Sequence, residues 1–333
     1  MIQPRDQLSN DGLALVMLCS HLGLRNGEDT AVHPFTLKEW NGLAAKIAAS
    51  ELTRPGELLG LDEQSITRLL ELTPTEAERL ILLLGRGGNI AVELERLAAM
   101  GIWCVTRAEK NYPERLKKVL KHQAPPVLFG SGSSALLMKS TMAIVGSRDL
   151  DDQAIEFAKR LGTICAQNSI AVVSGGARGT DRISMQAALD AGGHSVGVLA
   201  DSLSRVIRQP DVRQYLMEDR LLLLTPHQPD SGFSIGAAMG RNKLVYGISD
   251  YSVVVSSEYQ KGGTWAGAIE ALSAAWSPLF VRSSDPMPTG NRELIMKGAQ
   301  PLPEAILPEI DDIESWMRSR VRSTPQQREL LPV

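Results

Sequence analysis

The chain has 333 residues, of which 43% are hydrophobic and 22% are charged. This length predicts about two domains, and the composition excludes a wholly disordered chain. Lys and Arg number 35 and Asp and Glu number 38, so the formal net charge is −3. Because this balance excludes a histone-like polycation, any binding of nucleic acid must depend on local positive charge. Aromatic residues make up only 5% of the chain, which disfavours an interface of many stacked rings.

The sequence carries no signal for a membrane, a secretory leader or a metal site. Its longest apolar runs, such as Leu80–Leu84 and Leu221–Leu224, fall far short of the roughly 20 residues of a membrane span. The first six residues lack the basic-then-apolar pattern of a secretory leader, so a cytoplasmic location is expected. The cysteines Cys19, Cys104 and Cys165 are scattered, so neither a zinc site nor a disulfide framework is expected.

The first hundred residues have the apolar spacing of helices. Helices are predicted at Leu13–Leu22, Thr36–Leu52, Asp62–Leu70, Thr75–Leu84 and Ile90–Met100. Thr36 followed by Glu39 fits a capping box, and Gly85, Gly87 and Gly88 are predicted to end the fourth helix. Since no strand alternation interrupts this pattern, residues 1–100 are predicted to form a small helical domain without a catalytic constellation.

An alternation of strands and helices begins near Gly101. Strands are predicted at Trp103–Thr106, Val127–Phe129, Ala143–Val145, Ile170–Val173, Ser195–Leu199, Leu221–Leu224, Tyr251–Val255 and Leu279–Val281. Continuous apolar strands separated by helices predict a mostly parallel sheet covered on both faces. Right-handed crossovers make it a doubly wound, extended Rossmann-like α/β domain. Residues 101–300 are assigned to this domain, and residues 301–333 are predicted to be a short C-terminal tail.

Three glycine-containing loops follow predicted strands. They are Gly146–Arg148, Ser174–Asp181 and Gly262–Thr264 with Lys261 beside it, and a fourth basic element, Arg241–Lys243, is predicted to precede a helix. One such loop is equally well explained as an ordinary strand-to-helix turn. Three loops with Arg or Lys at one sheet edge favour a phosphate site, because glycines allow close approach and helix N-termini attract anions. The candidate residues are Gly146, Ser147, Arg148, Ser174, Gly175, Gly176, Arg178, Gly179, Asp181, Arg241, Asn242, Lys243, Lys261, Gly263 and Thr264.

No motif indicates a cofactor, a metal or a catalytic centre. The chain has neither GxGxxG nor GxxxxGK[ST], so neither a dinucleotide cofactor nor P-loop hydrolysis of nucleotides is expected. Asp181 fits three roles, which are to cap the following helix, to orient Arg178 or to act as a base; capping is the most common. Glu258 and Glu270 flank the third loop, but one lies at a strand end and the other inside a predicted helix. Catalytic residues, metal ligands and cofactors are therefore all predicted to be absent.

Several segments, in this order along the chain, resemble the DNA-processing protein A (DprA/Smf) family. They are Tyr112–Leu116 (YPERL), Ala124–Phe129 (APPVLF), Ala143–Arg148 (AIVGSR), Ser174–Asp181 (SGGARGTD) and Arg241–Ser249 (RNKLVYGIS). The resemblance spans roughly residues 101–299. It implies an extended Rossmann-like domain behind a helical one, and a non-enzymatic protein that binds single-stranded DNA. It also implies a homodimer and a RecA-type recombinase as partner.

By this resemblance, five residues of the three motifs hold phosphates of the DNA. These are Arg148, Arg178, Arg241, Asn242 and Lys243, with Gly175, Gly176 and Gly179 allowing the strand to approach. The chain also departs from the family pattern. Met185 stands where the family usually has His, and residues 301–333 are too short for the winged helix that many members carry.

These departures leave two alternatives open. The first is a regulatory or antitoxin-like component of a bacterial anti-phage defence operon, which senses DNA or a nucleotide beside a toxin-like partner. The second is a nucleotide phosphoribohydrolase, whose PGGxGTxxE signature this chain lacks. Gly262–Thr264 is not preceded by proline, and the next glutamate, Glu270, lies six residues beyond the threonine.

Overall fold

A computed structural model of the chain describes residues 2, 3, 6–24 and 32–322. The chain divides into two compact units. The first comprises Met1–Ser131 with Thr225–Ser231, and the second comprises Gly132–Leu224 with Gly232–Val333. The domain bounds of 1–100, 101–300 and 301–333 remain a prediction, and the two units are described separately below.

The first unit is mainly helical. Its elements are α1 (Asn10–Cys19), α2 (Leu37–Ala49), α3 (Glu63–Leu70), α4 (Pro74–Leu84), α5 (Gly87–Ala99), β1 (Ile102–Thr106), α6 (Glu114–Leu120) and β2 (Val127–Gly132). Strands β1 and β2 pair antiparallel. The sequence predicted all five N-terminal helices, but Gly87 and Gly88 lie in the first turn of α5 instead of ending α4. Only Gly85 and Arg86 separate the two helices, because the backbone at Gly85 is itself close to helical.

The helical core of the first unit forms where apolar faces of α1 to α4 meet. Helix α2 contributes Trp40, Leu43 and Ile47, which are spaced three and four residues apart and are at most 5% exposed. They belong to one buried cluster with Leu18 of α1 and Leu80 of α4. The 3.6-residue period of the helix therefore accounts for the apolar spacing in the sequence.

The end of α1 is closed by a buried arginine. The guanidinium of Arg86 donates hydrogen bonds to the carbonyls of Met17, Ser20 and Leu22, and also to that of Leu83. The last carbonyls of a helix have no partner within the helix. A single cation therefore satisfies carbonyls around the C-terminus of α1 and joins them to the end of α4.

The second unit alternates strands with helices. Its elements are β3 (Thr141–Val145), α7 (Asp152–Gln167), β4 (Ala171–Ser174), α8 (Thr180–Asp190), β5 (Ser195–Val198), α9 (Leu203–Val206), α10 (Pro210–Met217), β6 (Leu221–Thr225), α11 (Ile235–Ile248), β7 (Tyr251–Val254), α12 (Gly262–Ala274), β8 (Leu279–Ser283), α13 (Thr289–Met296), β9 (Gln300–Pro303) and α14 (Ile313–Arg322). Its strands follow the order β6-β5-β4-β3-β7-β8-β9, and each neighbouring pair is parallel. The predicted doubly wound, Rossmann-like α/β sheet is thereby confirmed.

The strand order places a topological switch point at β3. From β3 the chain builds outward through β4, β5 and β6 on one side, and β7, β8 and β9 then extend the other side. Ala143 of β3 is in register with Val173 of β4, and Val145 with Val254 of β7. Ligands of doubly wound sheets bind at the carboxyl ends of the strands beside such a point. The loops after β3, β4 and β7 are therefore in the position that favours a site.

The last strand of the sheet was missed by the sequence analysis. Strand β9 contains Pro301 and Pro303, which lower strand propensity, and it lies at the edge of the sheet beside β8. An edge position tolerates proline because one side of the strand needs no ladder hydrogen bonds. Helices α13 and α14 were missed as well, and the described part of residues 301–333 includes α14.

Helix ends follow the predicted capping chemistry. Thr36 and Glu39 form the predicted capping box at the start of α2. Asp151 caps α7 by accepting a hydrogen bond from the amide of Ala154 at 2.7 Å. Helix α7, with 16 residues, is the longest in the described part of the chain. Within that part, no helix has the length and apolar character needed to cross a membrane.

The capping box predicts an acid-sensitive contribution to stability. Arg79 donates to one carboxylate oxygen of Glu39 at 2.9 Å, and the amide of Thr36 donates to the other at 2.7 Å. These hydrogen bonds lower the pKa of Glu39 from 4.5 to about 2. Since the pKa is lowered in the folded state, the ionised carboxylate stabilises the fold above pH 4.5 and this contribution is lost as the pH falls toward 2.

Glu39→Gln should therefore lower the free energy of unfolding at pH 7 by less than about 1 kcal/mol, because the side chain is partly exposed to solvent. The difference from the wild type should shrink steadily below pH 4.5. Urea unfolding across this pH range measures both effects. Glu78→Gln, at an exposed position of α4, is the control, and an equal pH dependence in both variants would contradict the assignment.

Candidate nucleic-acid interface

A cavity of about 560 Å³ opens beside the carboxyl end of β3. The three predicted loops and α11 all contribute to it. Of the candidate residues, those that line it are Gly146, Ser147, Arg148, Arg178, Asp181, Arg241, Asn242, Lys261, Gly263 and Thr264. The structure thus brings two thirds of the predicted set into one place. Their role in binding a ligand stays a prediction.

The remaining candidates lie outside the lining of this cavity. Ser174 is fully buried, and its hydroxyl donates to the carbonyl of Ile144 at 2.6 Å. Gly175 and Gly176 line a neighbouring cavity, Gly179 is the N-cap residue that precedes α8, and Lys243 is a half-buried residue of α11. These residues support the site or lie near it without facing it.

Side-chain hydroxyls fix the backbone of the loop after β3. Thr264, in the first turn of α12, donates to the carbonyl of Gly146 at 2.9 Å. Thr180, the first residue of α8, donates to the carbonyl of Ser147 at 3.1 Å. The amide of Ser147 in turn donates to the carbonyl of Ser256 at 2.9 Å. The loop that carries Arg148 is therefore anchored by the starts of two helices and by the segment after β7.

The basic element Arg241–Lys243 lies inside α11, although the sequence predicted it to precede a helix. Ser234 caps α11 by accepting a hydrogen bond from the amide of Ala237 at 3.0 Å, so the helix begins at Ile235. The segment that follows the cap, IGAAMG, is rich in small residues. Because such residues give little apolar periodicity, the first turns of the helix escaped the sequence analysis.

Arg241 and Asp181 form a buried ion pair beneath the cavity. Their side chains are 8% and 11% exposed, and the shortest distance between Nη2 of Arg241 and Oδ2 of Asp181 is 3.9 Å. The same carboxylate oxygen accepts from the amides of Gly175, at 3.1 Å, and Ala177, at 3.4 Å. Asp181 therefore holds the loop after β4 and joins it to α11, and it does not orient Arg178.

Burial dominates the electrostatics of this pair. Desolvation raises the pKa of the Asp181 carboxyl group, and the guanidinium of Arg241 and the loop amides act in the opposite direction. Desolvation likewise lowers the pKa of Arg241, while Asp181 raises it. Nε of Arg241 is buried without a hydrogen-bond partner in the described part of the chain. Each charge of the pair thus depends on the other.

At two positions of the second loop, neighbouring protein atoms leave no space for a side chain, so both positions need glycine. A Cβ atom at Gly175 would overlap the guanidinium of Arg241. Gly179 has a φ of +82°, and a Cβ there would meet the backbone of Arg148. The resemblance implied that these glycines make room for DNA. At both positions protein atoms fill this space instead. These glycines therefore allow the close packing of the protein groups that form the site.

Two exposed cations of the cavity, Arg178 and Lys261, have carboxylate neighbours. Arg178 lies 3.0 Å from Asp149, and these side chains are 73% and 86% exposed. Lys261 lies 3.7 Å from Glu258, and both side chains are similarly exposed. Such pairs in water are weak and exchange readily with other ions. The carboxylate that pairs with Arg178 is thus Asp149, which the sequence analysis did not select.

Apolar side chains share the cavity with these cations. Phe233, Ile235 and Met239 line it and are 52%, 77% and 43% exposed. The guanidinium carbon of Arg148 lies 5.7 Å from the centre of the Phe233 ring, which is a cation–π distance. Sequence reasoning missed these residues, because isolated apolar positions beside small residues give no distinctive pattern.

The positions of the two candidate glutamates, Glu258 and Glu270, give little support to the hypothesis that either is catalytic. Glu258 lines the cavity as the partner of Lys261. Glu270 is an exposed residue of α12 that is not part of the lining. Among the described residues, no group of three or more His, Cys, Asp and Glu side chains is placed to hold a metal ion. Chemically, the cavity offers cations, helix starts and apolar surface to a phosphate-bearing ligand.

The contact between Gly175 and Arg241 yields a stability prediction. Gly175→Ala should lower the free energy of unfolding by about 1–3 kcal/mol, because the added methyl group displaces a packed guanidinium. Gly240→Ala is the matched control, since Gly240 precedes Arg241 in α11 and a Cβ there meets open space. The control should gain up to about 1 kcal/mol in helix stability. Urea unfolding compares the two, and equal stabilities would refute the steric argument.

Comparison with known proteins connects this site to a family. Residues 103–311 match the family model of DNA recombination-mediator protein A. The DNA processing protein DprA of Bacillus subtilis is 28% identical over 204 residues, which cover 60% of this chain and 68% of that protein. The DprA protein of Streptococcus pneumoniae is 27% identical over 195 residues, covering 57% and 67%.

Solved structures show the same fold. DNA processing protein A of Streptococcus pneumoniae has a TM-score of 0.65 at 19% identity and covers 92% of this chain and 99% of its own. That of Helicobacter pylori, whose structure gives insight into its single-stranded DNA binding mode, has a TM-score of 0.51 at 24% identity and covers 67% and 96%. The family model matches well over half of the chain. The chain therefore belongs to the DNA recombination-mediator protein A family, the DprA/Smf family that its loop motifs resemble.

Proposed function

We propose that the cavity beside β3 binds single-stranded DNA through its phosphates, as part of a recombination-mediator role. The observation that carries this proposal is the lining of the cavity, which combines exposed cations with exposed apolar side chains. Arg148, Arg178 and Lys261 provide the charges, and Phe233 and Ile235 provide the apolar surface. The structure of DNA processing protein A from Helicobacter pylori, which concerns its single-stranded DNA binding mode, supports the same proposal.

The apolar part of the lining favours a single strand over a duplex. Bases of a single strand expose their faces and stack on apolar or aromatic side chains, whereas a duplex hides them and offers mainly phosphates. Phe233 and Met239 are exposed beside the cations, where an unstacked base of the strand can contact them. The proposal includes binding of DNA without turnover, and the pairing of Glu258, the one glutamate of the lining, with Lys261 supports it.

Partners beyond DNA belong to the same proposal. The family resemblance supports a homodimer and contact with a RecA-type recombinase in the cytoplasm. Sedimentation of the purified chain tests the dimer, and strand-exchange assays with a RecA-type recombinase test the mediator role. A monomer at all concentrations would contradict the dimer. Recombinase loading that is equal with and without this protein would contradict the mediator role.

The net charge of −3 predicts binding with a shallow salt dependence. Each phosphate of a single strand that is neutralised contributes about −0.7 to the slope of log K against log salt, so three exposed cations give a slope of about −2. Arg178→Ala should lower affinity by about threefold to tenfold and flatten this slope by about 0.7. Fluorescence anisotropy of a labelled oligothymidylate across a salt series measures both quantities.

Arg160→Ala is the matched control, because it removes the same charge from an exposed position of α7. It should leave the slope and the affinity near the wild-type values. A duplex of the same length should bind more weakly than the single strand. Equal effects of the two arginine variants, or a preference for the duplex, would contradict the proposed site.

Asp149 should weaken binding, because it competes with phosphate for Arg178. Asp149→Asn is expected to raise affinity about twofold to fivefold at low salt, in line with the strength of exposed ion pairs. The gain should fade as salt screens the carboxylate. Asp152→Asn, at an exposed residue in the first turn of α7, makes the same change in net charge. A gain of the same size in this control would show that overall charge, and not the pair, is responsible.

A further inference from the structure

One segment of the first unit carries a strong positive charge. Residues Arg107–Lys121 contain six cationic and two acidic side chains, a net charge of +4 in a chain whose net charge is −3. The segment comprises the turn after β1, helix α6 and the residue that caps the end of this helix. Its residues do not line the cavity beside β3. The proposed DNA site therefore does not account for this concentration of positive charge.

Packing holds one side of α6 inside the first unit. Leu116 and Leu120 are buried, and they lie four residues apart on the inner side of the helix. Just after the helix, the carbonyl of His122 accepts a hydrogen bond from the side chain of Asn41, in α2, at 2.8 Å. The opposite side of α6 therefore faces solvent in a fixed orientation.

Two half-buried cations lie close together at the base of this segment. The ammonium of Lys117 donates to the carbonyl of Glu109 at 3.2 Å and lies 5.4 Å from the centre of the Tyr112 ring. Burial lowers the pKa of Lys117, and the like charge of Arg107 lowers it further, although two nearby carboxylates oppose both effects. Repulsion between like charges destabilises the folded state, and a bound anion relieves it.

Three further lysines of the segment, Lys110, Lys118 and Lys121, are exposed to solvent. In the described part of the chain, no ion pair involves any of the three. The carboxylate of Glu109 is used elsewhere, because it accepts from the amide of Ser9 at 3.0 Å and from its hydroxyl at 2.8 Å. Unlike the paired cations of the cavity, these lysines have no carboxylate to release when an external anion binds.

The exposed part of the segment offers charge without a face for bases. Tyr112 is the one Phe, Tyr or Trp residue of the segment, and it is only 2% exposed. Lysine is a point charge that contacts phosphates without reading sequence. A single strand gains nothing here from its unstacked bases, whereas a duplex presents about one charge per 1.7 Å of its axis. These features favour the backbone of a duplex.

We propose that Lys110, Lys118 and Lys121 form a surface, the α6 surface, that binds the phosphate backbone of duplex DNA without reading its sequence. The inference goes beyond the proposed function, because the α6 surface uses none of the residues of the cavity. The protein then has separate contacts for two forms of DNA, a single strand at the cavity and a duplex at the α6 surface. Because the α6 surface makes no base contacts, it binds the duplex more weakly than the cavity binds the single strand.

Removal of two charges tests the α6 surface in the full-length chain. In Lys118→Gln/Lys121→Gln the side chains keep most of their length and lose their charge. Lys159→Gln/Lys297→Gln is the matched control, because both lysines are exposed residues of the second unit and the net charge changes equally. Each protein is titrated with a labelled duplex and with an oligothymidylate across a salt series. Thermal unfolding checks that each variant is folded.

The wild type should bind the duplex with a Kd of roughly 1–100 µM and a slope of about −3, since each neutralised phosphate of a duplex contributes about −0.9. Lys118→Gln/Lys121→Gln should flatten this slope by about 2 and lower the affinity about tenfold or more at about 0.1 M salt. Its binding of the oligothymidylate should stay near the wild-type value. The control should keep both affinities. Lys110→Gln, at the third exposed position, should flatten the duplex slope by about 1 and gives a second test.

Arg178→Ala separates the α6 surface from the proposed single-strand site. It should weaken binding of the oligothymidylate and leave binding of the duplex near the wild-type value. Loss of duplex binding in Arg178→Ala, with duplex binding kept in Lys118→Gln/Lys121→Gln, would place the duplex at the cavity and overturn the inference. Equal losses in the lysine variant and its matched control would assign duplex binding to net charge, and that result would overturn it too.

Two outcomes distinguish failure of this inference from failure of the proposed function. If the wild type binds the single strand but no duplex at low salt, the α6 surface is wrong and the cavity proposal stands. If it binds the duplex through the lysines but not the single strand, the α6 surface stands and the cavity proposal fails. Polyglutamate is the probe for an acidic protein partner. Lysine-dependent binding of polyglutamate without any binding of the duplex would overturn the inference in favour of such a partner.

Discussion

The buried ion pair between Asp181 and Arg241 is the constraint on which the site depends. The carboxylate accepts two amides of the loop after β4, and the guanidinium occupies the space that a side chain at Gly175 would need. Such pairs contribute little net stability, but removing one partner typically costs about 3–5 kcal/mol because the other charge is left buried. The pair therefore selects one arrangement of loop and helix. The cavity beside β3 takes one of its walls from that arrangement.

The placement of charge is compatible with a phosphate site, as proposed, in a protein of net negative charge. Arg241 is held inside by its partner, whereas Arg178 and Lys261 stand in solvent beside Asp149 and Glu258. The buried cation sets geometry, and the exposed cations are available to exchange a weak carboxylate contact for a phosphate. Since these exposed pairs are local and screened by salt, they add little to the field at long range. We therefore expect affinity at the proposed site to come from fit more than from attraction at a distance.

Much of this fold follows from the sequence, because its signals are local. Continuous apolar runs such as Leu221–Leu224 predict buried parallel strands, and Thr36 with Glu39 predicts a helix start. Other features depend on packing that no local pattern records. Strand β9 carries two prolines and is allowed only by its edge position. The burial of Arg241 and the exposure of Phe233 depend on how α11 packs against the loop after β4. The sequence therefore predicted Arg241 as a site residue, but it did not predict that this side chain is buried.

The glycines of the SGGARGTD segment show why a motif can predict the place of a site without predicting the role of each of its residues. Gly175 faces the guanidinium of Arg241 and Gly179 faces the backbone of Arg148, so these positions organise protein groups before any ligand arrives. Substitutions there change the fold and the site together. Arg178 differs, because its side chain is 73% exposed and its recorded partner is a surface carboxylate. Among the residues of this segment, its side chain is the one whose removal we expect to weaken the proposed binding while leaving the fold unchanged.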